Sequence, residues 1–352
     1  MIIDYLIIGQ GLAGSLLAWE LIQRDCKVVI IDNGKENASW VAAGLINPIT
    51  GMRFVKSTDV DRFLPMAKQR YSELADVFQQ PFYIEKPMLR LFRSDKELNH
   101  CLKRLDNTDY QDYLGAIMPP DQPVANLATP FGFLEQKQTG YLLSRQLLTC
   151  LKDFFIARHC YRQADVDYQD IQLQPSLRWL DISPTRIIFC EGYHATKNPW
   201  FSWLPFQPVK GEILTLEHQC QLPDKILNFG DWLIPLNSRH IRIGATFDTD
   251  KLDTRPTERG KRDLLQALEL ISDNLAQATL INHQANVRPC TLDKQPFTGF
   301  HPRHPQLGIF NGFGAKGSLR IPWYSQHFVD ALLNNTLLTS TIQRHYAAHF
   351  PG

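Results

Sequence analysis

Residues 2–14, IIDYLIIGQGLAG, decide the reading of this chain. Ile2 to Ile8 is short, β-branched and nearly uncharged, the pattern of a strand buried on both faces. Gly9-Gln10-Gly11-Leu12-Ala13-Gly14 follows at once, and Ser15 to Gln23 has helical character, with Leu16, Trp19 and Leu21 among its apolar positions. Lys27 to Ile31 is a second buried strand that ends at Asp32, with Asn33 next. Strand, G-x-G-x-x-G turn, helix, strand and terminal acid make the start of a dinucleotide-binding βαβ unit. Gly9 permits the tight turn, Gly11 lets a pyrophosphate approach the backbone, and Gly14 lets the helix pack close to the strand. Leu12 and Ala13 open a helix whose free N–H groups and positive dipole end suit phosphates. Asp32 is expected to accept hydrogen bonds from the adenosine ribose hydroxyls and to repel a 2′-phosphate. The motif fits FAD and NAD equally.

Outward from this unit, 62–79 reads as a helix, broken near Pro65. Residues 80–140 read as short strands and loops around a polar segment, and 142–158 as helix. A buried strand is expected at 186–190, further strands at 209–218, 231–236 and 240–247, and a helix over 257–279. The C-terminal part reads as a strand at 308–310, a glycine-rich loop at 312–317 and a helix over 321–336. Helices and buried strands therefore flank and interrupt a β-rich middle. The expected fold is α/β: a Rossmann-like dinucleotide-binding domain (1–79, 141–200 and 286–352) carrying an inserted, mainly antiparallel β-sheet domain (80–140 and 201–285). The 352 residues are enough for two interlocked domains.

Composition narrows the function. The formal net charge is +1, and the absence of a basic excess or run makes a nucleic-acid partner unexpected. The seven cysteines include no C-x-x-C pair, which points to a reduced, cytoplasmic location rather than a disulfide framework or zinc site. The eleven histidines show no metal-ligand spacing, so no metal is expected; His100, His159 and His194 read as surface or loop residues, and Cys160 and Cys190 as buried apolar side chains. No signal peptide precedes Ile2, and no run of about 18 apolar residues suggests a membrane span. No Ser/His/Asp order or H-E-x-x-H motif supports a hydrolase. Nothing in the sequence fixes an oligomeric state.

Four later segments resemble, in order, the D-amino-acid oxidase/glycine oxidase family of FAD enzymes. Ala38-Ser39-Trp40-Val41-Ala42-Ala43-Gly44 is similar to its Ser-x-x-Ala-Gly-Gly segment beside the pyrophosphate and flavin. Arg186 to Gly192 is similar to its strand ending in Ala-x-Gly near the adenosine. Pro208-Val209-Lys210-Gly211-Glu212, then Leu233-Ile234-Pro235 and Ile243-Gly244-Ala245-Thr246, is similar to its Pro-Val-Arg-Gly-Gln and Gly-Ala-Thr strands. Val287 to Gly299 is similar to its Arg-Pro-x-Thr-x-Asp-x-x-Pro-x-x-Gly, and Asn311 to Gly317 stands at its glycine-rich flavin loop. The chain departs from the pattern at Lys316, where many relatives carry Arg, His or Asn, and at Ala42-Ala43-Gly44.

The resemblance implies non-covalent FAD, held by Gly9, Gly11, Leu12, Ala13, Gly14, Asp32, Asn33, Ala42, Ala43, Gly44, Val166, Gly192, Gly312, Gly314, Ala315, Lys316 and Gly317. It implies oxidation of the C–N bond of an amino acid or secondary amine by hydride transfer to flavin N5. The catalytic candidates are Arg288, as a bidentate partner for a substrate carboxylate, and Lys316. The alternative for Arg288 is a structural tie to Asp293. Trp40, Asn47 and Arg53 are weaker candidates for the cavity; Trp40 reads as core and Asn47-Pro48 as a turn. The expected partner is a small molecule carrying a carboxylate. Alternatives are a 2-hydroxy-acid or polyol-phosphate oxidoreductase and a flavin-dependent modification factor acting on tRNA or a partner protein.

Overall fold

The computed structural model describes residues 1–120, 122, 124–334, 336 and 341–350. Ile2–Ile8 lies near the middle of a six-stranded sheet in the order Tyr161–Gln163, Val28–Asp32, Ile2–Ile8, Ser183–Phe189, His304–Asn311, Phe297–His301. The first five run parallel and the last is antiparallel to its neighbour. The uninterrupted apolar run in Ile2–Ile8 follows from burial on both faces. Tyr5 and Ile7 join one cluster with helices Leu12–Ile22, Val60–Phe78, Ser144–Ala157 and Gly317–Leu333. Leu6 and Ile8 join the other, around Trp179, Phe189 and Phe201. Each fully buried Ile or Leu contributes about 1.5–3 kcal/mol, so this double burial fixes the strand ends on which the glycine turn sits.

The second large sheet has eight strands: Thr279–Arg288, Val209–Glu217, His240–Gly244, Trp232–Pro235, Ile226–Asn228, Met88–Leu91, Phe133–Gln136 and Leu114–Met118. It is antiparallel except where Ile226–Asn228 meets Met88–Leu91. Its strands alternate. Leu214, Leu216, Leu233, Ile241 and Ile243 pack with Leu264 and Leu268 of helix Glu258–Glu269. On the opposite face, Ile213, Trp232 and Gly244 line a cavity. The mixed α/β architecture expected from sequence is thus the one found.

Several elements differ from expectation. Helix Val60–Phe78 runs unbroken through Pro65, held by the buried stripe Phe63, Leu64, Ala67, Tyr71 and Leu74. The polar segment hides a helix, Asp95–Leu105, whose first N–H groups are capped by Ser94 Oγ. The expected helix 257–279 stops at Glu269; after a short turn of helix at Asp273–Ala276, Thr279–Arg288 is a strand paired along Val209–Glu217. The last expected helix begins earlier, as Gly317–Leu333; its anticipated extension to 336 crosses residue 335, which lies outside the described residues. Among the described residues, no helix is long and apolar enough to cross a membrane.

Candidate active site

Where the two sheets meet lies a cavity of about 960 Å³. Gly9, Gly11, Leu12, Ala13, Asp32, Asn33, Ala42, Ala43, Gly44, Val166 and Gly192 line it, together with Arg288, Gly314, Ala315, Lys316 and Gly317. Two of the expected residues do not. Gly14 sits behind the turn, where a Cβ would lie 1.9 Å from the Gly9 carbonyl oxygen. Gly312, at φ +82°, is pressed against Thr291, with a Cβ there 2.7 Å from its Cγ2. Both shape the backbone that others present.

The glycine turn is built as a cradle. Gly11 starts helix Leu12–Ile22 in an extended conformation with no side-chain cap, so the first-turn N–H groups point at the cavity. Only the Leu12 N–H is taken, by Ser39 Oγ at 3.0 Å. Asn37 holds Ser39 in place by accepting from the Ser39 and Trp40 N–H groups at 3.0 and 3.3 Å. Asp32 closes the far side. Its two carboxylate oxygens accept from the Gln10 and Gly34 N–H groups at 2.8 and 2.7 Å, which fixes the carboxylate at the strand end. A backbone that admits no side chain, open helix N–H groups and a fixed acid together fit a dinucleotide.

Beside Val166 and Gly192, Glu191 is half-buried, lines the cavity and accepts from Tyr168 Oη at 2.8 Å and Asn198 Nδ2 at 2.9 Å. Burial raises its carboxyl to about 7 despite those bonds. His194 is exposed, as expected, and also lines the cavity.

The antiparallel sheet supplies the floor. Arg288 ends its edge strand, and its guanidinium lies flat over Gly211, where a Cβ would be 2.0 Å from Nη2. Its two Nη groups reach only the Thr246 carbonyl, each at 3.4 Å, and no carboxylate among the described residues pairs with it. Burial disfavours its charged form. Asp293 instead pairs with Arg344 at 2.9 Å and His345 at 3.5 Å, so the expected alternative tie to Arg288 is not formed. Neighbours of Gly211 serve another purpose. Lys210 bonds Asp253 at 2.6 Å and the Arg255 carbonyl, and Glu212 accepts from Thr257 and His283, pinning the segment 246–260 to the sheet.

From the opposite wall comes Lys316, whose Nζ donates to Ser57 Oγ at 2.7 Å. Burial, with Arg320 and Lys294 nearby, lowers it to about 8. Asn47 lines the cavity and also forms the expected turn, accepting from the Ile49 N–H at 3.2 Å. Trp40 is half-buried outside the lining, with the Arg145 guanidinium 5.2 Å from its ring, and Arg53 is exposed and lies away from it. Sequence reasoning missed Ser39, Asn286, Trp232, Asn228, Asp231, Arg90 and Arg93, all of which line the cavity. Asn286 had a signal: two residues before Arg288 on one strand, it must share its face. No group of three or more His, Cys, Asp or Glu side chains among the described residues is placed to hold a metal.

Comparison with known proteins agrees with this geometry. Glycine oxidase from Pseudomonas putida is 24% identical over 358 residues, covering 93% of this chain and 93% of that protein. The tRNA 5-methylaminomethyl-2-thiouridine biosynthesis bifunctional protein of Marinobacter nauticus is 23% identical over 366 residues; the match covers 95% of this chain but only 56% of that protein, so the chain spans little more than half of it. Among solved structures, glycine oxidase from Geobacillus kaustophilus superposes with a TM-score of 0.81 at 20% identity over 98% of each chain. Iminodiacetate oxidase from Chelativorans sp. BNC1 gives 0.80 at 20% identity over 97% of this chain and 98% of that one. These two structures share the fold. The profile of the family described as FAD dependent oxidoreductase (DAO) matches residues 4–331, and the chain belongs to that family.

Proposed function

We propose that this protein oxidises the C–N bond of an amino acid or secondary-amine acid, with FAD bound non-covalently. The observation that carries the reading is Arg288. A guanidinium held out of water without a counter-anion costs several kcal/mol, so this one is poised for a ligand, and a carboxylate matches its two parallel donors. Gly11, Leu12 and Ala13 would take the pyrophosphate, Asp32 the ribose, Val166 and Gly192 the adenosine half, and residues 42–44 and 314–317 the flavin half. Bound FAD supplies the hydride acceptor. The chain itself orients the carboxylate at Arg288, adds positive charge at Lys316 and covers the reacting carbon with Ile213 and Trp232. On this reading the parallel-sheet segments form the FAD domain and the antiparallel sheet the substrate domain.

Purified protein is expected to be yellow, to release FAD and not FMN on heating, and to bleach anaerobically with its substrate. A colourless protein that FAD cannot load would overturn the reading. Asp32→Ala should weaken FAD binding about ten- to a hundredfold, since bonds to a charged acceptor contribute about 1.5–3 kcal/mol; the dissociation constant from flavin fluorescence reports it. Lys316 gives a pH prediction. Below about 8 it is an ammonium and above it a neutral amine, so affinity for a carboxylate inhibitor should fall as pH rises through 8. In Lys316→Met that dependence should flatten.

A second reading, a flavin-dependent modification factor acting on tRNA or a partner protein, is favoured by the 95% coverage of this chain in the match to the Marinobacter protein. The net charge of +1 weighs against RNA. A 2-hydroxy acid or polyol phosphate in the same cavity is the other alternative, which a substrate panel separates.

A further inference from the structure

The cavity continues past Arg288 across the antiparallel sheet. Strand register places Ile213, Gly244, Trp232, Asn228 and Arg90 side by side in one row, and all five line the cavity. Gly244 lets the Trp232 ring lie down against the sheet, since a Cβ there would be 2.6 Å from Cζ2. Beyond this ring, the turn between the strands Ile226–Asn228 and Trp232–Pro235 sets Asp231 and Gly230 in the cavity wall.

Two arginines and two acids stand at this end, unevenly paired. Arg90 Nη2 and Arg93 Nε both bond Glu97, at 2.9 and 3.3 Å, so two arginines share one glutamate. Nη1 of Arg93 lies against Gly230, where a Cβ would be 2.4 Å from it, and the Arg93 Nη groups make no hydrogen bond among the described residues. Asp231 is half-buried, and its carboxylate forms neither an ion pair nor a hydrogen bond among the described residues. Burial raises its carboxyl and the field of Arg93 partly offsets this. The Arg93 Nη edge, left positive because two arginines share Glu97, and the unpaired Asp231 carboxylate therefore face one space without bonding each other. A ligand head carrying a single charge would satisfy one and repel the other; a head carrying both signs satisfies both.

We propose that this end of the cavity is a second subsite, which reads the zwitterionic α-amino-acid head of an N-carboxymethyl amine whose carboxylate sits at Arg288. The inference rests on the amine-oxidising reading above and names its substrate class. Two strand spacings separate the strand under Arg288 from the strand of Trp232, about 10 Å. An extended chain advances about 3.3 Å for every three bonds, so roughly eight or nine bonds span the two subsites. Lysine carboxymethylated on its side-chain amine has that reach.

The test uses the FAD-loaded enzyme and four glycines with N-substituents of equal length: the carboxymethylated lysine, N-(5-aminopentyl)glycine, N-(5-carboxypentyl)glycine and N-pentylglycine. The zwitterion should exceed N-pentylglycine in kcat/KM by about tenfold or more, through KM rather than kcat. Asp231→Asn and Arg93→Met should each pull that ratio toward one. Ether analogues, with oxygen in place of the secondary amine, cannot be oxidised this way, and their Kd read from the flavin spectrum should show the same order. Equal affinity for headed and headless ethers would overturn the subsite. So would binding of the anion-only ether as tightly as the zwitterion, because Asp231 would then play no part. If none of the glycines bleaches the flavin, the amine reading fails, and the ether titration still decides the subsite.

Discussion

Arg288→Leu is expected to leave FAD content and the visible spectrum nearly intact while lowering kcat/KM for carboxylate substrates about thirtyfold to several thousandfold. Removing one partner of a desolvated charge pair costs on the order of 2–5 kcal/mol. Since among the described residues the Arg288 guanidinium hydrogen-bonds only the Thr246 carbonyl, at 3.4 Å, little of the fold depends on its charge. Arg288→Lys should recover only part of the loss, because an ammonium cannot make two parallel bonds. Substrate analogues without a carboxylate should lose far less. Steady-state kinetics with both substrate types measures the difference. Loss of FAD or unfolding in the Leu variant would make Arg288 structural; unchanged turnover would place the carboxylate elsewhere.

Gly14→Ala should be the most damaging methyl in the molecule. The added Cβ would stand 1.9 Å from the Gly9 carbonyl oxygen and 3.2 Å from Cys190 Cβ. Overpacking that side chains can absorb costs about 1–3 kcal/mol. Here one partner is backbone, so helix Leu12–Ile22 must lift off its strand. The apoprotein should melt several degrees lower and bind FAD poorly. Gly11→Ala is the informative contrast. Its Cβ would meet only side-chain atoms at ordinary contact distance, Ser39 Oγ at 3.4 Å and Asn37 Oδ1 at 3.9 Å, so the apoprotein should melt normally and only FAD affinity should suffer. Thermal unfolding of the two apoproteins separates the roles; equal melting temperatures would refute the packing role of Gly14.

The N-terminal unit was legible because everything that defines it is local. Burial on both faces writes a continuous apolar run, and the turn's three glycines each answer a contact within a few residues or on the next strand. Helix Asp95–Leu105 was not legible, since its buried residues are Glu97 and Cys101 and give no apolar stripe. Strand Thr279–Arg288 was not read from the sequence, since its place as an edge strand is set by pairing with the distant Val209–Glu217. The cavity floor depends wholly on such register. Arg90 lies far in sequence from Asn228 and Trp232 and meets them because a parallel pairing joins Met88–Leu91 to Ile226–Asn228. Gly312 shows the converse: its motif was visible, but its part is to pack on Thr291 rather than to touch the cavity.

The most direct test of the account is a single anaerobic turnover of the FAD-loaded protein with an N-alkylglycine, followed at the flavin absorbance with product analysis. If the α-carbon gives up a hydride and the nitrogen a proton, water then splits the resulting imine into glyoxylate and a primary amine. The account predicts full bleaching with about one glyoxylate and one amine per flavin. A flavin that stays oxidised with N-alkylglycines and amino acids alike, yet bleaches with a 2-hydroxy acid or a polyol phosphate, would contradict it.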